Sequence, residues 1–118
     1  MTKNFTLVLG MVLLAVGILG VVTGGHNHKL IIFGINASHN IVHIVSGLLA
    51  ILATLKNEDS AKMYCLVFGA VYGVVTIAGL LHVAFVVNLL NLNKPDHLLH
   101  FLISAACLWV GLQAKKAA

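Results

Sequence analysis

Histidine is the residue type through which this chain of 118 amino acids could do chemistry: it has seven, against three acidic residues and two cysteines. His39 and His43 stand four residues apart, and His97 and His100 three apart. Spaced this way on a helix, two imidazoles lie on one face and can reach a single ion. Imidazole suits Zn, Cu, Ni and haem iron. Asn36 precedes His43 by seven residues, and Asn93 precedes His100 by seven. If each Asn caps a helix, both imidazoles lie about 10 Å below the helix start, at one depth. Asn36, Asn40, His43 and Gly47 then share one stripe, and Asn93, His97, His100 and Ser104 share its equivalent. Pro95 suits a first helical turn, and Asp96 falls three residues after Asn93, where an acid meets the positive end of the helix dipole.

Three uses of such a cluster are open. In the first, Asn36, His39, Asn40, His43, Asn93, Asp96, His97 and His100 form a hydrogen-bonded clamp between two halves of the molecule. In the second, His43 and His100 are the central ligands of a transition metal or a haem, with His39 and His97 beside them. In the third, the imidazoles titrate near neutral pH and pass or sense protons. Asp96 is then the one acidic partner, and no acid lies deep in an apolar segment, so a complete relay is not visible. The sequence reading takes the clamp first. It describes a non-catalytic structural or accessory subunit of a membrane complex, which requires no cofactor. The alternative is a membrane protein that binds haem, Zn or Cu.

Catalysis is not expected. Membrane desaturases and hydroxylases use similar histidine boxes, but with more of them and on the cytoplasmic side. No Ser-His-Asp set with workable spacing, phosphate-binding glycine loop or paired carboxylate is present. Cys65 and Cys107 form no CxxC pair and are expected at different depths. They read as buried free thiols filling small apolar positions.

The elements that carry these residues follow from composition. The chain is 60% apolar and 8% charged, with a mean hydropathy of +1.05. A soluble domain carries roughly a quarter charged residues, so this is an integral membrane protein. Four segments meet the length of about 20 apolar residues needed to cross a bilayer: Phe5–Thr23, Asn36–Leu55, Met63–Val87 and His97–Ala114. Continuous apolar runs favour helices over a barrel. The first segment is long and is followed by no small-x-small cleavage site, so it is expected to stay as an anchor. With the N-terminus inside, Lys3, Lys56, Lys62, Lys115 and Lys116 are cytoplasmic, and Lys29 and Lys94 are outside. That bias places both termini in the cytoplasm and all seven histidines toward the outer face. The net charge of +4 is scattered, so no nucleic-acid partner is implied. The partners expected are the bilayer and other membrane subunits or further copies of the chain.

The chain also repeats itself. Leu7-Val8-Leu9-Gly10 matches Leu66-Val67-Phe68-Gly69, and Gly20 matches Gly79, at an offset of 59. Asn36, His43 and Gly47 match Asn93, His100 and Ser104 at an offset of 57. The fold expected is an all-α, four-transmembrane-helix bundle, one membrane domain over residues 1–118. It is built from two parallel helical hairpins, about 5–55 and 63–114. Gly20 with Gly24, and Gly69 with Gly73, form small-xxx-small motifs expected to pack the first helix on the third, or to make a homodimer. Tyr64 and Trp109 are expected near the interfaces. Tyr72 is expected inside the third span, bonded to a neighbouring helix.

Gly34-Ile35-Asn36, His39-Asn40-Ile41-Val42-His43 and Gly47 resemble the second-helix signature of a family of small four-span bacterial membrane proteins, catalogued as a domain of unknown function. Tyr72-Gly73, Ala78-Gly79-Leu80 and Asp96-His97-Leu98-Leu99-His100 resemble its second-half signature. The resemblance covers nearly the whole chain. It implies the four-helix fold and a bacterial inner-membrane location, and no activity, substrate or cofactor. His26, His28, His82 and His97 are additions to that pattern.

Overall fold

The computed structural model describes residues 2–23, 29–30, 33–34 and 36–114. His26, His28 and Gly24 lie outside the described residues. Helix α1 covers Thr2–Thr23, followed by a two-residue antiparallel pair, β1 (Lys29–Leu30) and β2 (Phe33–Gly34), with Lys29 opposite Gly34. Then come α2 (Ala37–Lys56), α3 (Glu58–Leu80), the short α4 (Ala84–Leu90) and α5 (Lys94–Gln113). Four of these helices are long and apolar enough to cross a membrane. Helices of 20 to 23 residues are about 30–35 Å long, the thickness of the hydrocarbon layer.

The boundaries are set by polar caps. The Asn36 side chain accepts the His39 amide at 2.8 Å, starting α2. Asn57 does two jobs, accepting the Ser60 amide at 2.7 Å and donating its own to the Ala53 carbonyl at 3.3 Å. One residue thus joins α2 to α3, and Glu58 and Asp59 fall in the first turn of α3, facing its positive end. At α5 the capping box is complete: Asn93 accepts the Asp96 amide at 3.1 Å, and the Asp96 carboxylate accepts the Asn93 amide at 2.9 Å.

The third span differs from the sequence expectation of Met63–Val87. The Asn57 cap starts it at Glu58, and a Schellman motif ends it at Leu80. The Val83 amide reaches back to the Ala78 carbonyl and the His82 amide to the Gly79 carbonyl, with His82 in the left-handed region at φ 55°. Hydropathy runs on unbroken through this turn, which is why the segment reads as one span. The residues beyond it form α4, closed by Asn91 at φ 51°.

Helix α1 packs along α2, and α3 along α5. The surface of the bundle is apolar, with Val8, Val22, Leu52, Val74 and Leu98 each more than half exposed. The interior holds Thr6, His39, Asn40, His43, Ser46, Asp96, His100 and Ser104, all buried. This inverts the pattern of a soluble domain and suits lipid outside with polar groups kept among helices.

Two further expectations change. Cys65 and Cys107 are at one depth, their thiols facing each other, because α3 and α5 run antiparallel and each cysteine lies about two turns from the same end of the bundle. Both are free, and Cys65 also lies 3.3 Å from the Thr6 hydroxyl of α1. Tyr64 is buried, stacked on Phe68 with its hydroxyl on the Ser46 carbonyl at 2.8 Å. The glycine motifs work within hairpins, not between α1 and α3: Gly20 faces the Asn40 side chain of α2, Gly69 faces Leu108 of α5, and Gly73 faces Ser104.

Candidate metal centre

The Asn36 cap fixes the phase of α2 so that His39, Asn40 and His43 point into the bundle in its first two turns. The Asn93–Asp96 box does the same for α5, and His100 arrives at the same level. Three imidazoles meet there. Ring centroids of His39 and His43 are 4.5 Å apart, those of His39 and His100 5.3 Å, and those of His43 and His100 5.9 Å. One donor atom from each lies within 4.8 Å of the other two. The residues are 1%, 2% and 1% exposed.

Both ring nitrogens of His43 and both of His100 are buried without a hydrogen-bond partner. Two hydroxyls in the neighbourhood are engaged elsewhere. Tyr72, whose ring is 5.4 Å from that of His100, gives its hydroxyl to Ser46 Oγ at 3.2 Å. Ser104, one turn below His100, gives its own to the Gly69 carbonyl at 2.7 Å. Leaving a buried polar atom unmatched costs about 1–3 kcal/mol. In a neutral imidazole one ring nitrogen donates an N–H and the other offers a lone pair, so these four unmatched nitrogens include two lone pairs, one on each ring, that a Lewis acid could take.

A transition metal fits that set. Metal–nitrogen bonds of about 2.0–2.1 Å put neighbouring ligand nitrogens roughly 3.5 Å apart, so small side-chain rotations close the observed spacing. Haem does not fit. The three centroid distances place the His39 ring about 4 Å from the midpoint between His43 and His100, where the macrocycle of a bis-histidine haem would have to lie.

The other residues singled out by sequence are distributed differently. His97 is not in the group: its ring packs over Gly79 of α3, and it lines a cavity of about 540 Å³ with Leu80, His82, Lys94, Leu98 and Phe101. Three residues of helix turn a side chain by about 300°, enough here to send His97 to α3 while His100 faces α2. Asn36 donates from Nδ2 to the Leu89 carbonyl at 2.8 Å, tying α2 to α4. Asn40 lies against Gly20, and its Oδ1 is buried without a partner. Asn93 and Asp96 cap α5. Tyr72 bonds a neighbouring helix, as its place in the span suggested. Ser46 was not singled out, although its position three residues after His43 puts it on the same inward stripe.

A family model described as a domain of unknown function (DUF4383) matches residues 3–113. The chain belongs to the DUF4383 family. Comparison with curated proteins finds no match, and neither does comparison with solved structures. The DUF4383 assignment carries no activity with it, so the chemistry of the site rests on its own geometry.

Proposed function

We propose that this protein is a non-enzymatic, metal-binding integral membrane protein whose centre is formed by His39, His43 and His100. The observation that carries this reading is the meeting of three buried imidazoles from two helices, with the nitrogens of His43 and His100 unmatched by hydrogen bonds. Coordination would satisfy those lone pairs and cross-link the first hairpin to the second.

The finer architecture is part of the same proposal. Two parallel hairpin repeats are supported by paired contacts: Gly10 lies against Gly47 as Gly69 lies against Ser104, and Gly20 against Asn40 as Gly79 against His97. The lysine bias supports cytoplasmic termini, which puts the centre toward the outer face. The motif resemblance supports a bacterial inner membrane.

A second reading, a structural or accessory subunit without metal, is favoured by bonds that already join the hairpins. Tyr64 and Tyr72 both bond Ser46, and Asn36 bonds Leu89. Thermal unfolding in detergent separates the two. Under the metal reading, adding chelator removes the stabilisation that binding confers, about 2.7 kcal/mol where the ion is present at a hundred times its Kd. The melting temperature then drops by several degrees, and His43→Ala/His100→Ala abolishes that response. Equal melting with and without chelator in the native protein supports the accessory reading.

A further inference from the structure

We propose that the ion taken by this centre is monovalent copper, an inference that rests on the metal-binding reading above and narrows it to one charge and one coordination number. The converging donors are three imidazoles, all neutral when they coordinate, so the ligands cancel none of the ion's charge. The cost of holding a charge away from water rises with its square, which makes a divalent ion about four times as expensive as a monovalent one at this depth.

The nearest acid balances one charge and no more. Asp96 is fully buried, four residues before His100 on the same helix and so about 6 Å along its axis. The chain's two other acidic residues, Glu58 and Asp59, begin α3 at the opposite end of the bundle. A monovalent cation with the Asp96 carboxylate makes a neutral buried unit, whereas a divalent cation leaves one uncompensated charge.

Coordination number points the same way. Zn(II) in proteins is nearly always four-coordinate, and beside three imidazoles it takes a fourth side chain or a water. The hydroxyls of Tyr72, whose ring is 5.4 Å from that of His100, and of Ser104, one turn further along α5, are held by Ser46 and by the Gly69 carbonyl, so a fourth ligand to Zn(II) would have to be a water brought into a buried site. Cu(I), with a filled d shell, is satisfied by three nitrogens in a plane. Binding releases no proton and changes no oxidation state: three imidazole lone pairs replace the ligands of an incoming Cu(I).

The test uses the full-length protein in detergent without oxygen. It is titrated with Cu(I) held by a competing colorimetric chelator, and separately with Zn(II) and Cu(II), followed by desalting and elemental analysis. X-ray absorption on the copper form reads the ligand type. The same titration on Cys65→Ser/Cys107→Ser controls for the thiol pair. The expected result is one Cu(I) per chain with three nitrogen and no sulfur neighbours, with or without the two thiols. Less than a tenth as much Zn(II) or Cu(II) is expected to remain. Asp96→Asn, which keeps an acceptor for the Asn93 amide, is expected to weaken Cu(I) binding at least tenfold. Stoichiometric Zn(II) or Cu(II), lost in His43→Ala/His100→Ala, in place of Cu(I) would overturn the assignment to copper(I) and leave the metal-binding reading standing. Sulfur neighbours around the copper would also overturn it, by moving the ion to the cysteines. Retention of no metal at all would overturn both.

Discussion

At the residue scale, each imidazole nitrogen of the centre can hold a proton or a metal, and not both. Acid therefore competes with the ion for the same lone pairs, and metal occupancy is expected to fall as pH is lowered and not as it is raised. Equilibrium dialysis of the loaded protein from neutral to acidic buffer measures this. Occupancy that stays flat as the buffer is acidified would contradict histidine ligation. Much of this centre was legible in the sequence, because His43 and His100 stand seven residues from capping asparagines and a shared depth follows from helix rise alone. The rotational position of His97 was not legible. An i,i+3 pair shares a face only loosely, and the neighbours decide which side chain turns where: α2 lies toward His100, and Gly79 leaves room for the His97 ring.

Among the elements, hairpin contact depends on where backbones touch. A Cβ placed at Gly47 would stand 2.6 Å from both the Gly10 carbonyl oxygen and the Leu14 amide nitrogen. These are backbone atoms that cannot rotate aside. Gly47→Ala is expected to push α1 from α2 and destabilise the bundle by about 1–3 kcal/mol, the usual range for an overpacked site. The lowered melting temperature of the purified variant would show it, and an unchanged one would contradict the close approach. The α1–α2 and α3–α5 pairing was legible through the repeat, but the partners of the glycines were not, since small residues advertise a close contact without naming the helix that makes it. The end of α3 was also hidden. A Schellman turn normally announces itself with glycine, and here His82 occupies the left-handed position inside an apolar run.

For the whole molecule, the inverted distribution of polarity is what the composition led one to expect. With so few charges the outer surface must be apolar, and polar side chains can be satisfied only inside. The hydroxyls largely are: Thr6, Thr54, Thr76 and Ser104 bond backbone carbonyls, and Tyr64 and Tyr72 meet at Ser46. The unmatched nitrogens of His43 and His100 stand apart from this pattern, and the account of function turns on them. Its most direct test is elemental analysis, with an absorption spectrum, of protein purified gently from native membranes in three forms: unaltered, His43→Ala/His100→Ala, and His97→Ala. The account predicts about one transition-metal ion per chain without a haem Soret band, lost in the double variant and kept in His97→Ala. A metal-free native protein, or metal that survives loss of both His43 and His100, would contradict it.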